Sequence, residues 1–175
     1  MKGSARRLGP TTASQIYLRD GRSPKPALES TSRVMRANRS RDTGPELLLR
    51  SALTAMGVRG YRLHSPSLPG RPDLSFGRAG LAVFVNGCFW HRCPHCKKGL
   101  PKTHTDYWKA KFSANVQRDA RKAQILRRRG WRVLVVWECE VDANPVKSAA
   151  RVARRLSRPT SGQLRRRPYV REGKL

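Results

Sequence analysis

At 175 residues the chain has room for one compact domain with flanking segments, and its core needs no disulfides. Lys and Arg outnumber Asp and Glu by 38 to 11, and the resulting formal charge of +27 exceeds what solubility requires and implies a polyanionic partner. The basic residues are spread along the chain instead of lining one amphipathic helix, which favours nucleic acid over an anionic membrane, and no apolar run is long enough to span a bilayer.

From Met1 to about Ser30 the chain is rich in Arg, Ser, Thr, Gly and Pro without sustained periodicity, so 1–30 is expected to be a flexible basic tail. It contains no apolar stretch suited to a secretory signal, and a cytoplasmic protein is expected. The folded domain is assigned to 31–156. Its first helix starts at Asp42 or Thr43, with Pro45 and Glu46 in the first turn, and stops at Gly57; Leu47, Leu48, Leu49, Ala52, Leu53 and Met56 give it a broad apolar face. Leu74–Phe76 and Leu81–Val85 read as buried strands joined by a glycine-bearing turn, Gly77-Arg78-Ala79-Gly80.

Thr105 to Arg129 places Trp108, Phe112, Val116, Ile125 and Leu126 near helical spacing among many charges, which predicts a long basic helix ended by Gly130. Trp131–Trp137 is a β-rich run suited to a central strand, and Pro145–Leu156 reads as a final amphipathic helix after Asn144. The remainder, 157–175, is a second basic tail. An α/β fold satisfies this order, with a mixed sheet flanked by helices.

In a reducing compartment the four cysteines point to metal or burial before disulfides. Cys88, Cys93 and Cys96 form C-x4-C-x2-C around Pro94, and Cys139 lies just past the strand ending at Trp137, close to a structural zinc set. His95 is an alternative donor, which leaves the fourth ligand open.

In Leu68-Pro69-Gly70-Arg71-Pro72-Asp73, prolines and glycine fix an extended approach that delivers Asp73 to the start of a buried strand. Asp73 with Glu46 can supply the hard oxygens that Mg²⁺ takes, directly or through water. Phe84 to His91 follows a strand end with a glycine, two large aromatics and a histidine. Phe89 and Trp90 suit either a core or a wedge between base pairs, and His91 can accept a proton from an attacking water.

Taken together, Arg41-Asp42-Thr43 with Glu46, Leu68 to Asp73, Gly87-Cys-Phe-Trp-His91, Thr105-Asp-Tyr-Trp108 and Trp131 to Cys139 closely resemble the very short patch repair endonucleases, over about Ser32 to Val141. The resemblance implies a restriction-endonuclease-like fold with a zinc knuckle. It also implies a Mg²⁺-dependent nick that leaves a 5′-phosphate beside a T:G mismatch made by deamination of 5-methylcytosine. Asp73 and the Val85 carbonyl would ligate Mg²⁺, His91 would be the general base supported by Glu46, and Phe89, Trp90 and Trp108 would enter the duplex. Cys88, Cys93, Cys96 and Cys139 would bind Zn²⁺. The implied partners are double-stranded DNA and, functionally, a cytosine-5 DNA methyltransferase, with the enzyme a monomer.

Two features depart from the family pattern. Asn86 stands where a second histidine is common, and an amide can orient phosphate or water but cannot shuttle a proton near neutral pH. The Cys93-Pro94-His95-Cys96 knuckle also differs in length and composition. Competing expectations are a nuclease of the same fold in restriction or phage defence, and a zinc-containing DNA-binding module without catalysis.

Overall fold

The computed structural model describes residues 41–157; the expected tail over 1–30, residues 31–40 and everything after Ser157 lie outside the described residues. Helix α1 spans Gly44–Ala55. Its start is not capped by the Thr43 side chain. Instead the Glu46 carboxylate reaches back to accept the Asp42 N–H at 3.0 Å and the Thr43 hydroxyl at 2.8 Å, which ties the first turn to the residues that lead into it. Glu46, Leu49 and Leu53 recur at i, i+3 and i+7, so the buried stripe carries an acid. The expected apolar face is accordingly narrower: Leu49, Ala52 and Leu53 are buried while Leu47, Leu48 and Met56 are exposed, because one helix can turn only one stripe toward the core.

Strands β1 (Arg62–Leu63), β2 (Leu74–Phe76), β3 (Leu81–Asn86) and β4 (Arg132–Trp137) form one mixed sheet in the order β1-β2-β3-β4. The first two pairings are antiparallel, and Gly80, with φ 56°, helps turn β2 into β3. β3 and β4 are parallel, with Leu81 opposite Arg132 and Asn86 opposite Trp137, and helix α2 (Thr105–Arg128) lies in the crossover that parallel strands require. The two-residue β1 was not foreseen; it is too short to show a period.

Alternation along the strands separates two faces. Leu81, Val83, Leu134 and Val136 join Leu49 and Leu53 in the main core, which Val141, Ala149 and Val152 complete from α3 (Glu138–Ala143) and α4 (Pro145–Ser157). Phe84, Asn86, Val133 and Val135 face α2, where they border a hollow with Asp119, Lys122 and Ala123. Within α2, Trp108, Phe112 and Leu126 are buried but Val116 is exposed, so the predicted apolar stripe is interrupted at mid-helix. Helix α3 was also unforeseen. It begins directly at the end of β4, where Glu140 Oε2 accepts the Trp137 N–H at 2.9 Å, and Arg151 ties it to α4 and β4 by pairing with Glu140 at 2.7 Å and donating to the Val135 carbonyl at 2.8 Å. The result is a mixed sheet flanked by helices, in agreement with the restriction-endonuclease-like expectation.

Candidate active site and cysteine cluster

A cleft of about 610 Å³ opens where the start of β2, the end of β3, the start of α1 and the middle of α2 meet. Asp73, Val85, Asn86, Phe89, Trp90, His91 and Glu46 all line it, so residues nominated from separate motifs share one wall system. Pro72, fully buried, seats the loop that delivers Asp73, and the turn before it needs left-handed backbone at Gly70 (φ 81°) and Arg71 (φ 48°). Asp73 Oδ2 accepts the Val85 N–H at 2.7 Å, which joins the loop to β3 just beyond the β2–β3 ladder.

Burial dominates the ionisation of Asp73. Together with the neighbouring Glu46 carboxylate it outweighs the Val85 N–H and raises the pKa to about 6. Glu46 itself is only 5% exposed. Between the two acids stands His64, a residue the sequence motifs did not nominate, with Nδ1 3.6 Å from Asp73 and Nε2 3.7 Å from Glu46. Asp42, Glu46 and His64 also bring their ligand atoms within 4.8 Å of one another. His64 adopts φ 43°, unusual for a residue with a side chain.

His91 comes from the turn after β3, set by its N–H to the Gly87 carbonyl at 3.1 Å. Its Nδ1 lies 2.5 Å from Asp119 Oδ2, a second partner absent from the motif reading. That contact orients the ring and leaves Nε2 as the nitrogen available to a reacting group. Asp119 is the single acid between Asp106 and Glu138, and its isolation among so many cations was a signal in the sequence. Asn86 lines the cleft beside Asp119 and Lys122.

Phe89 packs edge-on against Trp90, Trp108 and Phe112, with centroids 5.1, 5.8 and 5.0 Å apart. Phe89 and Trp90 are half-buried at the cleft, whereas Trp108 is 5% exposed and lies behind them. Lys111 and Arg92 approach the rings, Arg92 at 4.8 Å from the Phe112 centroid.

The sulfurs of Cys88, Cys93, Cys96 and Cys139 gather within 4.8 Å of one another, a group able to hold a metal ion. Cys93 and Cys139 Sγ are 3.8 Å apart. The His95 N–H points at Cys93 Sγ at 3.4 Å, and the residue itself is exposed, so the group assembles around four cysteines without the His95 ring. Burial works against the Cys93 thiolate, yet the N–H groups of Cys96 and His95 bring its pKa below the ordinary thiol value. Glu138 connects the two regions: it lines the cleft, accepts the Cys88 N–H at 2.7 Å and precedes Cys139.

Comparison with known proteins identifies the chain's relatives. Residues 27–98 match the family model described as DNA mismatch endonuclease Vsr. A type II nicking enzyme of Xanthomonas oryzae pv. oryzae is 49% identical over 110 residues, covering 62% of this chain and 79% of that protein. The DNA mismatch endonuclease Vsr of Escherichia coli is 45% identical over 109 residues, covering 62% and 69%. A type II nicking enzyme of Lentzea aerocolonigenes is 44% identical over 126 residues, covering 69% and 74%. By these relatives and the matching family model, the chain belongs to the Vsr family of DNA endonucleases.

Proposed function

We propose that this endonuclease nicks one strand of duplex DNA 5′ of the thymine in a T:G mismatch left by deamination of 5-methylcytosine, and that the reaction needs Mg²⁺. The observation that carries the reading is the convergence of Asp73, the His91–Asp119 pair and the Phe89–Trp90 aromatics in one cleft. Two close, poorly solvated carboxylates, one with its pKa raised to about 6 chiefly by burial, form a hard-oxygen site that suits a divalent cation. Asp73 and the Val85 carbonyl would hold the ion, because an extended residue directs its N–H and C=O to the same edge and the Val85 N–H faces Asp73. Bound there, Mg²⁺ would polarise the phosphate and neutralise developing charge.

The protein's own groups then divide the work. His91, held by Asp119, takes the proton of the attacking water at Nε2. Glu46 is placed to orient water beside the ion, and Asn86 to hold water or phosphate by its amide. Phe89 and Trp90, backed by Trp108, enter a duplex most easily where pairing is weak, as at a mismatch.

For the cysteine group the assignment is structural Zn²⁺. A tetrahedron with Zn–S bonds of about 2.3 Å has sulfur–sulfur edges of about 3.8 Å, and the Cys93–Cys139 separation is 3.8 Å. A substrate born from 5-methylcytosine links the enzyme functionally to a cytosine-5 DNA methyltransferase, and the reading takes it to act as a monomer on cytoplasmic DNA.

Nicking of matched and T:G duplexes in several methylation contexts, with and without Mg²⁺, tests the proposal. One nick, 5′ of the mismatched thymine and only with the cation, is expected. Equal rates on matched and T:G duplexes in every context would replace repair with a restriction or defence nuclease, and absence of any nicking would leave a DNA-binding module.

A further inference from the structure

We infer that Lys122 is a catalytic residue, the cation that contacts the DNA phosphate at the cut. The inference rests on reading the cleft as a DNA-cleaving site and adds a group that neither the motifs nor that reading assigns. Lys122 lies on α2 one turn beyond Asp119, so both project from the same helix face, and both line the cleft that holds Asp73.

A lysine on a basic helix is ordinarily a solvated charge, but the surroundings of this one differ. Lys122 is half-buried, whereas Arg121 beside it is exposed. Its stem crosses to the loop that delivers Asp73: a Cβ placed on Gly70 would meet Lys122 Cδ at 2.9 Å, Lys122 Cβ at 3.3 Å and the Phe84 ring at 3.3 Å. Only a glycine leaves that space, so the loop and the lysine stem are fitted to each other three residues before Asp73. The lysine also borders Asn86, which brings no charge to this wall. Arg41 and Arg71 line the cleft as well, but both are exposed.

No ion pair or hydrogen bond ties the Lys122 side chain among the described residues, although Asp119, Glu46, Asp73 and Glu138 line the same cleft. Those acids are engaged elsewhere: Asp119 with His91, Asp73 with Val85, Glu46 with Asp42 and Thr43, and Glu138 with Cys88. The ammonium of this half-buried lysine, left without an acid partner in a nuclease cleft, suits a phosphate oxygen whose charge grows as the bond breaks, where a held cation acts more strongly than in water.

The test compares Lys122→Met and Lys122→Gln, which keep the stem, with Lys122→Arg and with Arg121→Met as a same-helix control. Rates are measured in single turnover on the T:G duplex at saturating protein, and affinity for the same duplex by anisotropy without divalent cation across a salt series. Expected is a fall in rate on the order of tenfold to a hundredfold for the neutral variants, with affinity changed less than about fivefold, a salt slope shallower by about one and recovery of most of the rate by Lys122→Arg. Arg121→Met should shift affinity and slope but leave the saturated rate alone. Matched thermal unfolding curves establish that the variants fold. If Lys122→Met cuts at the wild-type rate, or Arg121→Met slows cutting equally, the inference falls while the function stands. A wild-type protein that nicks no duplex overturns the reading of the cleft, and this inference with it.

Discussion

The cysteine group and the acidic cleft sit on either side of one short turn, Gly87 to Cys93, and they hold their polar groups by opposite means. In the cysteine group four soft donors converge within 4.8 Å of one another; backbone N–H groups favour the Cys93 thiolate, while burial pushes the Cys88 and Cys139 thiols up, so the group gains from a metal ion that would hold them deprotonated. In the cleft, hard carboxylates are buried near each other, and that burial, with the Glu46 carboxylate beside it, raises the pKa of Asp73. A site whose donors a resident metal would satisfy contributes to folding when it is loaded. One left unsatisfied costs stability and is available to bind a cation or a phosphate.

That contrast predicts opposite stability changes when the two sites lose a ligand, and the largest effect on activity lies in the cleft. Asp73→Asn should lower nicking at least about a thousandfold, the scale of losing a metal-held charge. The same change should stabilise the cation-free protein at pH 7 by about 1–3 kcal/mol. The sign follows from linkage: the folded pKa of about 6 exceeds the unfolded value of about 3.9, so the folded state binds the extra proton between them. Wild-type stability without divalent cation should therefore lose this contribution as pH rises from about 4 to 6, and the Asn variant should lack that component. Urea unfolding across this range checks it; a destabilised Asn variant at pH 7 would mean that Asp73 is a structural acid.

Cys139→Ala should act the other way, losing stability and activity together, with unfolding free energy down by about 2–5 kcal/mol and bound metal released. Metal analysis of freshly purified wild-type protein, expected to give one Zn²⁺ per chain, accompanies the unfolding curve. Unchanged stability in the variant would show that the four sulfurs gather without a metal's help.

How far each region was legible in the sequence follows from the same difference. Three of the four cysteines lie within nine positions, and a short motif records them as a set. The strands and long helices were also readable, because β2, β3, β4, α2 and α4 each carry an apolar period or run between glycines and prolines. The cleft draws on residues far apart in the chain. Asp73 and His91 stood out by local grammar, but His64 meets its two acids only when β1 pairs with β2, and Asp119 reaches His91 across 28 residues. Glu138 stood just past the predicted strand with no role read for it, and its role as acceptor for the Cys88 N–H exists only through a contact 50 residues distant. Helix α3 was missed because six residues are too few for a helical period to show.

The His91–Asp119 pair gives a smaller effect than Asp73 and sharpens the comparison, because it tests positioning within the cleft. Asp119→Asn should lower the single-turnover rate about a hundredfold by loosening the ring and weakening its support for a proton at Nε2. DNA affinity should change little, since the acid faces His91. A rate unchanged by this substitution, with Mg²⁺ saturating, would remove His91 as the general base.

The smallest expected effect concerns Trp90, which tells whether the aromatic wall belongs to the cysteine side of the turn, as packing, or to the cleft side, as recognition. Phe89, Trp108 and Phe112 form a mutually packed set, and Phe89 touches Trp90 at 5.1 Å between centroids. Trp90 is half-buried and reaches the cleft, while Trp108 and Phe112 lie within, so its truncation should spare the inner rings. A base stacked on an aromatic ring gains about 1–3 kcal/mol, and a mismatched step gives up less pairing on opening than a matched one. Trp90→Ala should therefore reduce the preference for T:G over matched duplex by about tenfold, equivalent to about 1.4 kcal/mol, through slower cutting of the mismatch with nearly constant binding to matched DNA. Competition between the two duplexes in one reaction measures the ratio directly. If the preference survives while the melting temperature falls, Trp90 serves the core of the turn, and discrimination must come from elsewhere in the cleft.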